Sequence, residues 1–115
     1  MNDDFWTYLD RLVASSRIVL DRPKGSHHPR FPEMIYPLDY GYLEVTTAGD
    51  GGGIDLFLGS RPDRDLTAVI LTVDLHKRDT EIKLLLGCTE EETQTALEHL
   101  KRFSMGTLLV KRSKD

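Results

Sequence analysis

The chain has 115 residues, with 15 lysines and arginines against 19 aspartates and glutamates, a net charge of −4 and a mean hydropathy of −0.35. That length predicts one domain, 1–115, large enough to bury a single hydrophobic core. The charge balance gives no electrostatic footprint for nucleic acid or an anionic membrane, while its carboxylates suit divalent cations.

The single cysteine, Cys88, excludes an intramolecular disulfide, and its apolar neighbours Leu84–Leu86 predict a packed thiol. The acidic opening MNDDFW lacks the basic and apolar regions of a signal peptide. No apolar run approaches the roughly 20 residues of a membrane span. These features predict a cytoplasmic protein.

Asp3 and Asp4 are placed to cap a first helix. Phe5, Trp6, Leu9, Leu12 and Val13 recur at helical spacing, so one face of residues 4–15 is apolar. Phe5 and Trp6 serve either the core or a neighbouring copy. Arg17–Leu20 reads as a strand stopped by Asp21-Arg22-Pro23. Four prolines and two glycines make residues 22–41 an extended, turning segment, and Pro37 and Gly41 interrupt any regular strand there. Strands are predicted at Ile54–Leu58, Leu66–Leu75 and Glu81–Leu86, with turns at Pro62–Asp65 and His76–Asp79. Thr89 and Glu92 have the spacing of a capping box. Ala96, Leu97, Leu100 and Phe103 then form the buried stripe of a second helix, which Gly106 is placed to end. Thr107–Lys111 closes the chain as a final strand. The order is that of an α+β domain.

Three groups carry chemistry. Lys24 in PKGS sits on a turn with free backbone N–H groups, as either a solvated side chain or a contact for a phosphate oxygen. His27, His28 and Arg30 follow; adjacent histidines in an extended chain point to opposite sides. In Tyr36-Pro-Leu-Asp-Tyr-Gly-Tyr42, three phenols are either half-buried aromatics or uncharged hydrogen-bond donors. The carboxylates Asp50, Asp55, Asp74, Asp79 and Glu81 are hard oxygen ligands of the kind Mg²⁺ takes. Strand alternation puts Asp55 with Phe57, opposite Ile54 and Leu56, and puts Lys83 on the face of Glu81.

In this order the groups resemble the soluble (family I) inorganic pyrophosphatases. YPLDYGYLEVTTAGDGGGID is similar to that family's Y-P-x-N-Y-G-Y followed by its D-G-D-P-x-D metal motif, and VLDRPKGS to its I-E-I-P-K-G-S strand end. DTEIKLLL resembles the segment with an acidic residue two positions before a substrate-contacting lysine, and LEHLKRF the helix that brings a Tyr-Lys pair to phosphate, with Leu100 in the tyrosine's place. The resemblance implies a small OB-like five-stranded β-barrel with an N-terminal and a C-terminal helix. It implies Mg²⁺, or Mn²⁺, held by Asp50, Asp55, Asp79 and Glu81. Lys24, Arg30, Tyr40 and Lys83 would then act on the substrate, with Lys101 holding phosphate and Asp21 standing at a family glutamate. The implied activity is hydrolysis of pyrophosphate or another phosphoanhydride by a metal-activated water, in a protein that can assemble into homo-oligomers. Gly52 stands where the motif has its middle aspartate, and only His27–Ile35 spans the place of the family's hairpin. The alternative is therefore a weak or inactive relative that binds a phosphate-containing ligand. An OB-like barrel could also serve nucleic acid, which the charge disfavours.

Overall fold

A computed structural model describes residues 4–113. Eight elements follow one another: α1 (Asp4–Ala14), β1 (Ile18–Arg22), β2 (Asp39–Leu43), β3 (Ile54–Leu58), β4 (Leu66–Asp74), β5 (Asp79–Leu86), α2 (Glu90–Arg102) and β6 (Gly106–Lys111). The strands form one mixed sheet in the order β1-β2-β3-β5-β4-β6. Only β3 and β5 are parallel, and every other neighbouring pair is antiparallel. The α+β class and the two helices are as expected. The five-stranded barrel is corrected: there are six strands, and the edges β1 and β6 are not paired to each other.

The two helices lie against opposite faces of the sheet because its strands alternate two apolar sets. Leu43, Leu56, Leu58, Val69, Leu84 and Leu86 form one cluster, covered by Trp6, Leu9, Leu12 and Val13 of α1. Phe57, Ala68, Ile70 and Leu85 form the other, covered by Ala96, Leu97 and Leu100 of α2. Trp6 belongs to the core, while Phe5 remains exposed. Asp4 starts α1 and suits its positive end; Asp3 lies outside the described residues.

Thr89 caps α2 as its spacing predicts. Its hydroxyl accepts from Glu92 N–H at 3.1 Å, and the Glu92 carboxylate accepts from Thr89 N–H at 2.9 Å. The helix ends at Arg102 with Phe103 as its cap, so Gly106 begins β6 and does not terminate the helix. Cys88 is buried, and burial pushes its thiol up to about 12. That is the behaviour of a packed residue.

β2 also corrects the expectation of an interrupted segment. It runs through Gly41, where a Cβ would stand 1.9 Å from the Val19 carbonyl oxygen of β1. Glycine is needed there for close approach of two strands, not for a turn. Among the described residues no helix is long and apolar enough to cross a membrane.

Candidate functional site

Along the face that α2 covers, register places Tyr40 beside Phe57, Tyr42 beside Asp55, Ile70 beside Lys83 and Thr72 beside Glu81. The apolar residues of this face pack under α2. Past the end of that packing the same face turns polar, and a cavity of roughly 630 Å³ opens over Tyr40, Asp55, Thr72, Glu81 and Lys83. The loop after β2 brings Asp50 to its rim, and the β4–β5 turn brings Asp74 and Asp79. Asp74 holds that turn by accepting from the N–H groups of His76 and Lys77 at 3.0 and 3.1 Å.

Lys83 is the centre of the polar cluster and only 4% exposed. Its ammonium donates to Tyr40 Oη at 3.0 Å, Asp55 Oδ2 at 3.1 Å and Glu81 Oε1 at 3.2 Å. An ammonium has three protons, so all are committed within the protein. Burial alone lowers the Lys83 pKa, but Tyr40, Asp55 and Glu81 together outweigh it and hold the group above its ordinary value. Burial, with Asp55 beside it, also raises the Tyr40 phenol, which stays protonated and is hydrogen-bonded to Asp55.

Asp50 and Glu81 share a hydrogen bond, and their pKa values move apart. That bond, with Gly52 N–H donating to Asp50 Oδ1 at 2.9 Å, lowers Asp50. Burial and then the bond to Asp50 raise Glu81. Of the two, Glu81 is the more readily protonated.

A divalent ion needs several anionic oxygens facing one point. Here Asp55 and Glu81 both face an ammonium, at 3.1 and 3.2 Å. Among the described residues no group of three or more His, Cys, Asp or Glu side chains is placed to hold a metal. Gly52 contributes no oxygen from its side, although a Cβ there would meet nothing nearer than Asp50 Oδ1 at 3.4 Å. As arranged, the donor set does not fit a resident magnesium or manganese ion, because Lys83 already supplies the positive charge.

No protein-family model matches the chain, and no curated protein matches it. A solved structure described as an inorganic phosphatase from Anaplasma phagocytophilum is 19% identical, covering 84% of this chain and 74% of its own, with a TM-score of 0.47. The chemistry of the cavity therefore stands on its own residues.

Of the residues singled out from sequence, Tyr40, Asp50, Asp55, Asp79, Glu81 and Lys83 meet at this cavity, as does Asp21. Lys24, Arg30 and Lys101 do not line it, and all three are exposed. Lys24 uses its backbone N–H on Asp39 Oδ1 at 2.8 Å, which ties the PKGS turn to β2. His27 and His28 diverge as expected: only His28 lines the cavity. The His28 Nδ1 accepts from Arg30 N–H at 3.0 Å, and burial followed by the charge of Arg22 lowers its pKa.

Two further cavity residues, Arg22 and His99, carry no local sequence signal. Arg22 donates to the hydroxyl of buried Tyr36 and lies 5.5 Å from that ring's centre. Burial opposes its charge, but the Tyr36 contact outweighs that and raises its pKa. Tyr36 in turn packs against His99 of α2, with ring centres 5.6 Å apart. The polar cluster therefore adjoins a row of aromatic rings through Tyr40, whose ring centre lies 5.1 Å from that of Tyr36.

Proposed function

We propose that the cavity binds a phosphoanhydride, pyrophosphate or a relative, which arrives with its own divalent cation. Seven carboxylates line the space against three fixed cations, Arg22, Lys77 and Lys83. A bare polyanion is repelled by that balance. Its magnesium complex instead presents positive charge to Asp50 and Asp79 and leaves phosphoryl oxygens for Arg22 and Lys77. The order of motifs from PKGS through YPLDYGY to DTEIK supports the same ligand class.

Lys83 is the observation that carries binding over turnover. Its three protons are used internally, so it offers no donor to a leaving phosphate, and it neutralises Asp55 and Glu81, which hydrolysis would need as anions. Hydrolysis is the second reading, supported by the convergence of Asp50, Asp55, Asp79 and Glu81 on one cavity.

Calorimetry and phosphate release separate the two. Purified protein is expected to give saturable heat with pyrophosphate plus Mg²⁺, little with pyrophosphate in chelator, and no more orthophosphate than buffer. Orthophosphate released with Mg²⁺ or Mn²⁺, and lost in Asp55→Asn, would replace binding by hydrolysis. No heat under either condition would remove both readings.

A further inference from the structure

The cavity is larger and more aromatic than a pyrophosphate needs. At roughly 630 Å³ it falls within the range of about 300–1,000 Å³ typical of sites for drug-sized organic ligands. Beyond the carboxylates its lining includes Tyr36, His99, Phe103 and Met105. The rings form a continuous row: Tyr36 lies 5.6 Å from His99, and His99 lies 5.2 Å from Phe103. An open ring face such as that of half-buried Phe103 gives a phosphate nothing, whereas a planar ring packs on it through offset or edge contacts.

His99 adds an independent sign. It is 9% exposed, and among the described residues its ring nitrogens have no hydrogen-bond partner. Yet no described side-chain nitrogen or oxygen is both sealed and unpaired. The His99 nitrogens therefore reach the cavity surface. Burial, with Arg102 nearby, lowers the His99 pKa, so the imidazole is neutral and offers one N–H donor and one acceptor. A buried polar group left open to a cavity is a ready partner for a heteroatom.

From the half-buried Phe103 ring and the unpaired His99 we infer that the ligand carries a heteroaromatic base, and that the site takes a nucleoside diphosphate by ring packing on Phe103 and a hydrogen bond to His99. The diphosphate part of this inference rests on the phosphoanhydride reading above; the ring part does not. No covalent step is involved.

The test is calorimetry on the full chain with Mg²⁺, using adenosine diphosphate, pyrophosphate and adenosine as separate probes. The nucleoside diphosphate is expected to bind at least about tenfold more tightly than pyrophosphate. His99→Phe keeps the ring and removes the nitrogens; it is expected to weaken the nucleoside diphosphate about five- to tenfold while leaving pyrophosphate unchanged. Phe103→Leu, at a half-buried helix end, serves as a second variant should His99→Phe fail to fold. Pyrophosphate binding as tightly as the nucleoside diphosphate, or equal losses for both in the variants, would overturn the base site and leave the phosphoanhydride reading intact. Adenosine binding alone, with no heat from pyrophosphate, would keep the ring site and overturn the diphosphate. No heat from any probe would overturn both.

Discussion

Lys83 and Leu84 are neighbours on β5, yet they face opposite sides of the sheet and belong to different kinds of structure. Leu84 is fully buried among leucines beneath α1. Lys83 is almost as buried, but its neighbours are Asp55 of β3, Tyr40 of β2 and Glu81 two residues before it on β5. The α1 face is apolar in every buried position of its cluster. On the other face α2 covers the apolar residues and leaves the polar ones open to a cavity. One face is committed to holding the sheet together, and the other divides its length between packing and a site.

Substitution of the two neighbours should expose that difference. Leu84→Ala removes a side chain with no exposed surface and leaves a cavity, at an expected cost of about 3 kcal/mol in chemical denaturation. The folded variant should still bind pyrophosphate with Mg²⁺ as the native chain does. Lys83→Met should cost less, about 2 kcal/mol, because Asp55 and Glu81 are partly exposed and water can replace part of the lost ammonium contact. Its binding isotherm should change markedly, since two carboxylates lose their internal counter-ion. If Leu84→Ala altered binding and Lys83→Met did not, the assignment of the faces would be wrong.

The division of faces was partly legible before any coordinates. Alternation in IDLFL set Asp55 with Phe57 against Ile54 and Leu56, and EIKLLL set Glu81 with Lys83, because period 2 is a property of the strand itself. Thr89 and Glu92 announced α2 through a local hydrogen-bond pair. Gly41 misled because its reason lies in β1, two dozen residues away, where the Val19 carbonyl leaves no room for a Cβ. The sheet's openness was hidden for a related cause: edge pairing depends on the whole strand order, which periodicity does not encode. Lys24, Arg30 and Lys101 sit on turns or helix surfaces whose direction relative to the cavity has no local pattern. Arg22 looked like a strand stop and His99 like a gap in the α2 stripe. Both become cavity residues only through tertiary contacts with Tyr36.

The smallest expected effect tests the protonation of the polar face. Because the Glu81 pKa is raised, its protonated form is favoured by folding; that stability is present below the ordinary value of 4.5 and is lost as pH rises through the folded value. Asp50 runs the other way: its lowered pKa gives stability above 3.8 that is lost as pH falls through the folded value. Glu81→Gln imitates the protonated carboxyl, keeping a donor for Asp50 and an acceptor for Lys83 without the buried charge. The variant should therefore exceed the native chain at neutral pH by less than about 1 kcal/mol, and the two should converge as pH falls below 4.5. Equilibrium unfolding measured from acid to neutral pH checks this. A difference that is constant across that window, or largest in acid, would mean that folding does not favour the protonated Glu81 carboxyl. Glu81 would then be as ready an anion as a free carboxylate, and Lys83 would bridge it to Asp55 with no help from protonation.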